Sequence, residues 1–245
     1  GALALDANTT GSDSVAMGYG ALGTNTTGGL NVAVGKNALT TNNADANVAV
    51  GFEALKDNTT GAGNTAVGKF ALTNNTTAAK NTAIGKDAMF TNTTGATNVA
   101  VGVYSQRENT TASNNTSVGS YSLQANTTGT ANVAMGYQSG KNTTTGTCNI
   151  AIGNDARRDG TTGDNNVAIG FQSLRESEGA DNNTAVGQET LKANTTGNLN
   201  QAFGAFSLQA NTEGVRNTAI GSYTMYDNTT GDYNVAVGQS ALYNN

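Results

Sequence analysis

The sequence predicts an all-β fold, a parallel β-solenoid of about fourteen coils of seventeen residues. Three observations predict it. Glycine recurs at positions 1, 18, 35, 51, 68, 85, 102, 119, 136, 153, 170, 187, 204, 221 and 238, and the spacing of seventeen breaks once, to sixteen, between Gly35 and Gly51. A fixed phrase ends on each glycine, as in Asn31-Val32-Ala33-Val34-Gly35 and Asn234-Val235-Ala236-Val237-Gly238. A turn-rich stretch separates the phrases, as in Asn58-Thr59-Thr60-Gly61. A short period that fills a chain marks a repeat array, and this one is too short for a helix pair or a propeller blade.

Each coil is numbered from its glycine as zero. Position −1 is apolar in every coil; −2 is Ala except at Ser117, −3 is Val, Ile or Thr except at Gln201, and −4 is Asn except at Ser14. Branched residues and a period of two predict a strand, with −3 and −1 on one face and −4, −2 and the glycine on the other. The −1 column is read as the core ladder: Val34, Val50, Val67, Ile84, Val101, Ile152, Ile169, Ile220 and Val237. The small −2 column suits close approach, by the opposite wall of a thin coil or by a neighbouring chain.

A corner follows, turned by glycines such as Gly35, Gly51, Gly68, Gly85, Gly102, Gly119, Gly136, Gly153 and Gly170. Position +3 is Ala, Ser or Thr, and +4 is Leu or Met in twelve of fifteen coils. This pair is read as a second, shorter strand or extended segment, and Leu39, Leu55, Leu72, Leu191 and Leu208 join the core ladder. The Asn-Thr-Thr-Gly stretch closes the coil, with Gly and Asn suited to the positive φ angles of tight turns. The missing residue falls in this turn, within Asn42-Asn43-Ala44-Asp45-Ala46. A deletion in the strand would instead flip its faces.

Coils stacked about 4.8 Å apart by parallel pairing make a rod about 70 Å long. Asparagine columns at −4 and +7 then form amide ladders. The few large side chains per coil fall short of the entropy cost of ordering seventeen residues. Burying a second face would narrow that gap, so the reading favours a homo-oligomer.

Residues 1–245 read as one continuous array, a piece of a longer protein, because the chain starts without Met and in mid-pattern. Only 36% of residues are hydrophobic, but strict phase argues against disorder. The net charge is −5 with no basic block, which disfavours nucleic-acid and anionic-membrane partners. No apolar run reaches membrane-spanning length. Cys148 is the sole cysteine and there is no His to activate it. No catalytic or metal constellation is visible and no cofactor is expected. Gln106, Gly140 and Arg157 break the +4 column, and a lone buried arginine is costly. Residues 137–163 are therefore expected to be the least regular.

Aromatics gather at the corner: Tyr19, Phe52, Tyr137 and Phe171 at +1, with Phe70, Tyr104, Tyr121, Phe206 and Tyr223 at +2. These are the candidate surface-binding residues, for sugars or a receptor; the alternative is that they cover the bend or pack on a neighbouring chain. Ten Asn-Thr-Thr triplets match the N-glycosylation sequon, but glycans on consecutive coils would stand about 5 Å apart, so turn chemistry with Asn and Thr ladders is the favoured reading.

The phrase Asn-[Val/Thr]-Ala-[Val/Ile]-Gly-x-x-[Ala/Ser] resembles the head repeat of YadA-like trimeric autotransporter adhesins, and repeats of bacteriophage tail fibres and bacterial surface fibres. The resemblance covers essentially the whole chain. It implies a left-handed parallel β-roll, three chains about one axis, and a non-enzymatic role in attachment at a cell surface or on a virion fibre. The repeat here is longer, with Asn-Thr-Thr-Gly as the extra segment. The expected function is thus a structural fibre or adhesin segment whose partners are further copies of itself and a cell-surface glycan or protein receptor. A self-assembling head-to-tail filament is the alternative. A third reading, an ice-binding solenoid, rests on stacked threonines.

Overall fold

The computed structural model describes residues 1–244. The chain divides into two compact units, Gly1–Tyr121 and Ser122–Asn245. The first carries seven three-residue strands: β1 (Val15–Met17), β2 (Val32–Val34), β3 (Val48–Val50), β4 (Thr65–Val67), β5 (Thr82–Ile84), β6 (Val99–Val101) and β7 (Thr116–Val118). The second carries β8 (Val133–Met135), β9 (Ile150–Ile152), β10 (Val167–Ile169), β11 (Thr184–Val186), β12 (Gln201–Phe203), β13 (Thr218–Ile220) and β14 (Val235–Val237). Within each unit every strand pairs in parallel with the next, one coil on. The fold is a parallel β-solenoid, and among the described residues it contains no helix.

Register is kept by like meeting like. Ala66 lies opposite Ala83 and Val67 opposite Ile84. The short coil obeys the same rule, with Val32 opposite Val48. Its missing residue is the second threonine of the turn. Asn42 donates Nδ2–H to Ala44 O two residues on, whereas Asn58 donates to Gly61 O three residues on.

The interior differs from the expected core in one respect. The −2 alanines, such as Ala33, Ala66, Ala83, Ala168 and Ala219, are fully buried against the +4 column of Leu39, Leu55, Leu72, Leu191 and Leu208. The −1 column faces outward. Val34, Val67, Val101 and Ile152 are half-buried, while Val50, Ile84, Ile169, Ile220 and Val237 are 36, 40, 37, 43 and 68% exposed. The coil is thin, so its strand wall admits only a methyl group opposite leucine and asparagine. The larger branched residues are left on the outer face.

Asparagine fills the rest of the interior. Asn64 at −4 and Asn75 at +7 both donate Nδ2–H to Ala78 O, at 2.9 and 3.0 Å. Asn75 also donates to Asn58 Oδ1, and Asn92 to Asn75 Oδ1, each at 2.8 Å. At −4 the backbone N–H of Asn81 donates to Asn64 Oδ1 at 2.9 Å. Burying amides is tolerable only when their hydrogen bonds are made, and these columns make them coil after coil.

The expected second strand is absent. Positions +1 to +6 form turns, and the +2, +4 and +12 residues take left-handed backbone angles. Phe70, Leu72 and Lys80 have φ of 61, 51 and 61°. Such angles cost an L-residue about 1–2 kcal/mol each. Every one of these three amides hydrogen-bonds to an adjacent coil: Phe70 N–H to Phe52 O, Leu72 N–H to Ala88 O, and Lys80 N–H to Ala62 O. The left-handed turns aim backbone groups along the stack, so turn and strand alike are laddered. The zero glycines need a still rarer angle. Gly35, Gly51, Gly68, Gly85, Gly102, Gly119, Gly136, Gly153 and Gly170 have φ between 133 and 141°. That region is essentially glycine's alone. A Cβ on Gly35 would meet Gly51 O at 2.3 Å.

Candidate functional site

Residues 137–163 keep their strands and register, contrary to expectation, and the reason is a compensated set of exceptions. Arg157 occupies the +4 core position with no exposed surface. Position +7 of its coil is Gly160 where most coils have Asn and the two flanking coils have Thr143 and Ser177, and a Cβ there would lie 2.8 Å from Arg157 Cγ and Cζ and from Ser177 O. The guanidinium takes the space of that absent asparagine. Its Nη2 donates to Gly163 O at 2.6 Å, the carbonyl a +7 amide would serve, and its Nη1 donates to Thr143 Oγ1 at 2.9 Å. Burial pushes its pKa down to about 10, partly offset by Asp164 and Asp181. The group remains a cation at neutral pH. The arginine thus stands structurally in place of a +7 asparagine.

Gln106 and Ser117, exceptions at +4 and −2, also meet. Gln106 Nε2 donates to Ser117 Oγ and to Val99 O, both at 2.9 Å, and Ser105 Oγ hydrogen-bonds Ser117 Oγ. A larger polar residue in one coil is matched by a hydroxyl in the next.

The sequon asparagines are interior groups except Asn8, which is exposed, and Asn142, which is half-buried. Asn58, Asn75 and Asn92 are fully buried with Nδ2 engaged, so sugar transfer to them is incompatible with the folded coil. The first threonine turns back to the stack: Thr59 and Thr76 donate Oγ1–H to Thr76 O and Thr93 O. The second is exposed at Thr60, Thr77, Thr94 and Thr111. Each unit therefore shows one outward threonine row, broken in the first unit by the short coil and in the second at Gly179 and Glu213.

The corner aromatics separate into local groups. In the first unit Phe52 and Phe70 meet edge to face at 5.3 Å, Phe70 and Phe90 at 6.1 Å, and Tyr104 and Tyr121 at 5.3 Å. In the second, Phe206 stacks on Tyr223 at 4.9 Å, and Tyr226 on Tyr243 at 5.1 Å. Tyr19, Tyr137 and Phe171 sit on exposed corners. Phe90, Tyr226 and Tyr243 lie at +5, a position the sequence reading did not single out. Their only signal was the spacing of three from a +2 residue. Cations border the first group. Lys36 Nζ lies 6.0 Å and Lys69 Nζ 5.7 Å from the Phe52 centroid. Lys86 donates to Tyr104 OH at 2.8 Å, which with Asp87 raises the lysine's pKa.

The second candidate surface is the outer strand face. No −1 or −3 position carries a charge in either unit. A shallow cleft of about 240 Å³ also opens beside the short coil, lined by Thr10, Ser12, Asp13, Thr27, Gly29, Leu30 and Asp45. It pairs carboxylates with hydroxyls but holds no imidazole, since the chain has none. Among the described residues no group of three or more His, Cys, Asp or Glu is placed to hold a metal, and no helix is long and apolar enough to cross a membrane. No protein-family model, curated protein or solved structure matches this chain. Fold and surfaces together define a β-solenoid repeat protein.

Proposed function

We propose that the chain is a non-enzymatic segment of an extracellular attachment fibre, in which three copies associate through the outer strand face and present the corner residues to a surface. One observation carries this reading. The interior is already filled by alanine, leucine and asparagine, yet each unit keeps a charge-free row of branched residues outside. Half-exposed valine and isoleucine gain about 1 kcal/mol each when the remainder is covered. An apolar face of this extent on a soluble chain marks an association surface. Multivalent display on a repeating scaffold then adds weak contacts through avidity. Light scattering on the purified chain tests the proposal, with three chain masses expected. A monodisperse monomer at micromolar concentration contradicts it. The outward threonine row gives the ice-binding reading one observation in its favour, and thermal hysteresis tests that reading.

A further inference from the structure

We propose that the corner of the first unit, built on Lys36, Phe52 and Lys69, binds a linear anionic polysaccharide of the polyuronate class. The inference rests on reading the corner as an attachment surface. Three observations carry it. Phe52 is 37% exposed, held edge to face by Phe70, and therefore a fixed apolar platform. Two exposed ammonium groups flank that ring, and Lys69 also lies 4.8 Å from the Phe70 centroid. Among the described residues neither Lys36 nor Lys69 is in an ion pair, while the adjacent acids Glu53 and Asp87 are engaged by Lys56 and Lys86.

The spacing selects the ligand. Lys36 and Lys69 sit at the +1 position two coils apart, about 9.6 Å along the stack. Two sugar residues of a linear chain span a similar distance. One pyranose then lies with its C–H face on Phe52 while carboxylates on either side reach the two lysines. Local charge favours this unit. Residues 1–121 carry six basic against seven acidic side chains, residues 122–245 six against ten. A nucleic acid is the weaker fit, because Phe52 offers a single platform and no continuous basic track follows it.

Affinity electrophoresis with polygalacturonate in the gel tests the proposal, with dextran and single-stranded oligo-dT as parallel arms. Polygalacturonate retards the wild-type chain, and the retardation weakens as salt rises. Dextran and oligo-dT have no such effect. The double variant Lys36→Gln/Lys69→Gln loses at least tenfold in apparent affinity, Phe52→Ala loses severalfold, and Lys80→Gln, an exposed lysine off this row, matches wild type. All these positions are surface ones, and circular dichroism checks that each variant folds. Absence of retardation by polygalacturonate, equal retardation by oligo-dT, or an unaffected double variant overturns the proposal. Light scattering on the same samples separates this failure from failure of the fibre reading, since self-association uses the strand face.

Discussion

Exchanging the partners of the buried arginine tests whether the interior works as interchangeable columns. Gly160→Asn in the native background places a side chain 2.8 Å from Arg157 Cγ and Cζ. Overpacking of that kind costs about 1–3 kcal/mol. In an Arg157→Leu background the contacts with the guanidinium are gone and the asparagine donates to Gly163 O, worth about 1 kcal/mol, while the approach to Ser177 O at 2.8 Å is common to both backgrounds and cancels from the coupling. Arg157→Leu alone is less informative, because lost hydrogen bonds to Thr143 and Gly163 offset relief of a desolvated cation. The coupling between the two changes is therefore expected to be about 3 kcal/mol in favour of the double variant. Chemical denaturation of the four proteins measures it. Additivity within about 0.5 kcal/mol refutes the column exchange. The pH dependence has a definite sign. The folded-state pKa of about 10 lies below the usual arginine value, so the charging penalty is complete below pH 10 and is relieved only above it. Arg157 thus adds no slope to stability between pH 5 and 9.

Further outcomes follow from the same coil. Leu72→Ala costs about 2–5 kcal/mol, whereas Val67→Ala in the dispersed chain costs under about 1, as melting of the two variants will show if Leu72 is inside and Val67 outside. Ala131→Gly raises stability by about 1 kcal/mol, reversing the usual sign, because Ala131 has a φ of 57°; a lower midpoint in denaturant contradicts that angle. Ile84→Asp, on the outer face, reduces the mass seen by light scattering while leaving the circular dichroism spectrum unchanged; an unaltered mass argues against association through that face.

The period, the parallel pairing and the placement of the deletion were legible because each follows from spacing. Which face turns inward was not. Alternation by two separates Ala66 from Val67 without saying how thick the interior is, and the larger residue is the natural choice for a core. A coil too thin for valine reverses that choice. The left-handed leucines were illegible for a related reason. Leu72 has no intrinsic preference for φ of 51°, and the angle exists only because the neighbouring coil accepts its hydrogen bond. Arg157 stood out as an exception at +4, but its partner Gly160 did not, because the two are three residues apart in a turn whose path the sequence did not specify. The corner aromatics were visible as a stripe. Their extension into the Phe52-Phe70-Phe90 and Tyr223-Tyr226-Tyr243 groups depends on +5 residues that only the turn brings alongside.

The stacking of equivalent positions is open to one direct measurement. In a Cys148→Ser background, Thr77→Cys/Thr94→Cys places two exposed thiols one period apart, about 4.8 Å between backbones, within disulfide reach. Thr77→Cys/Lys86→Cys places them off phase. Oxidation followed by mass spectrometry is expected to give rapid intrachain crosslinking of the first pair alone. Equal crosslinking of both pairs, or of neither, contradicts a chain that returns to the same place every seventeen residues.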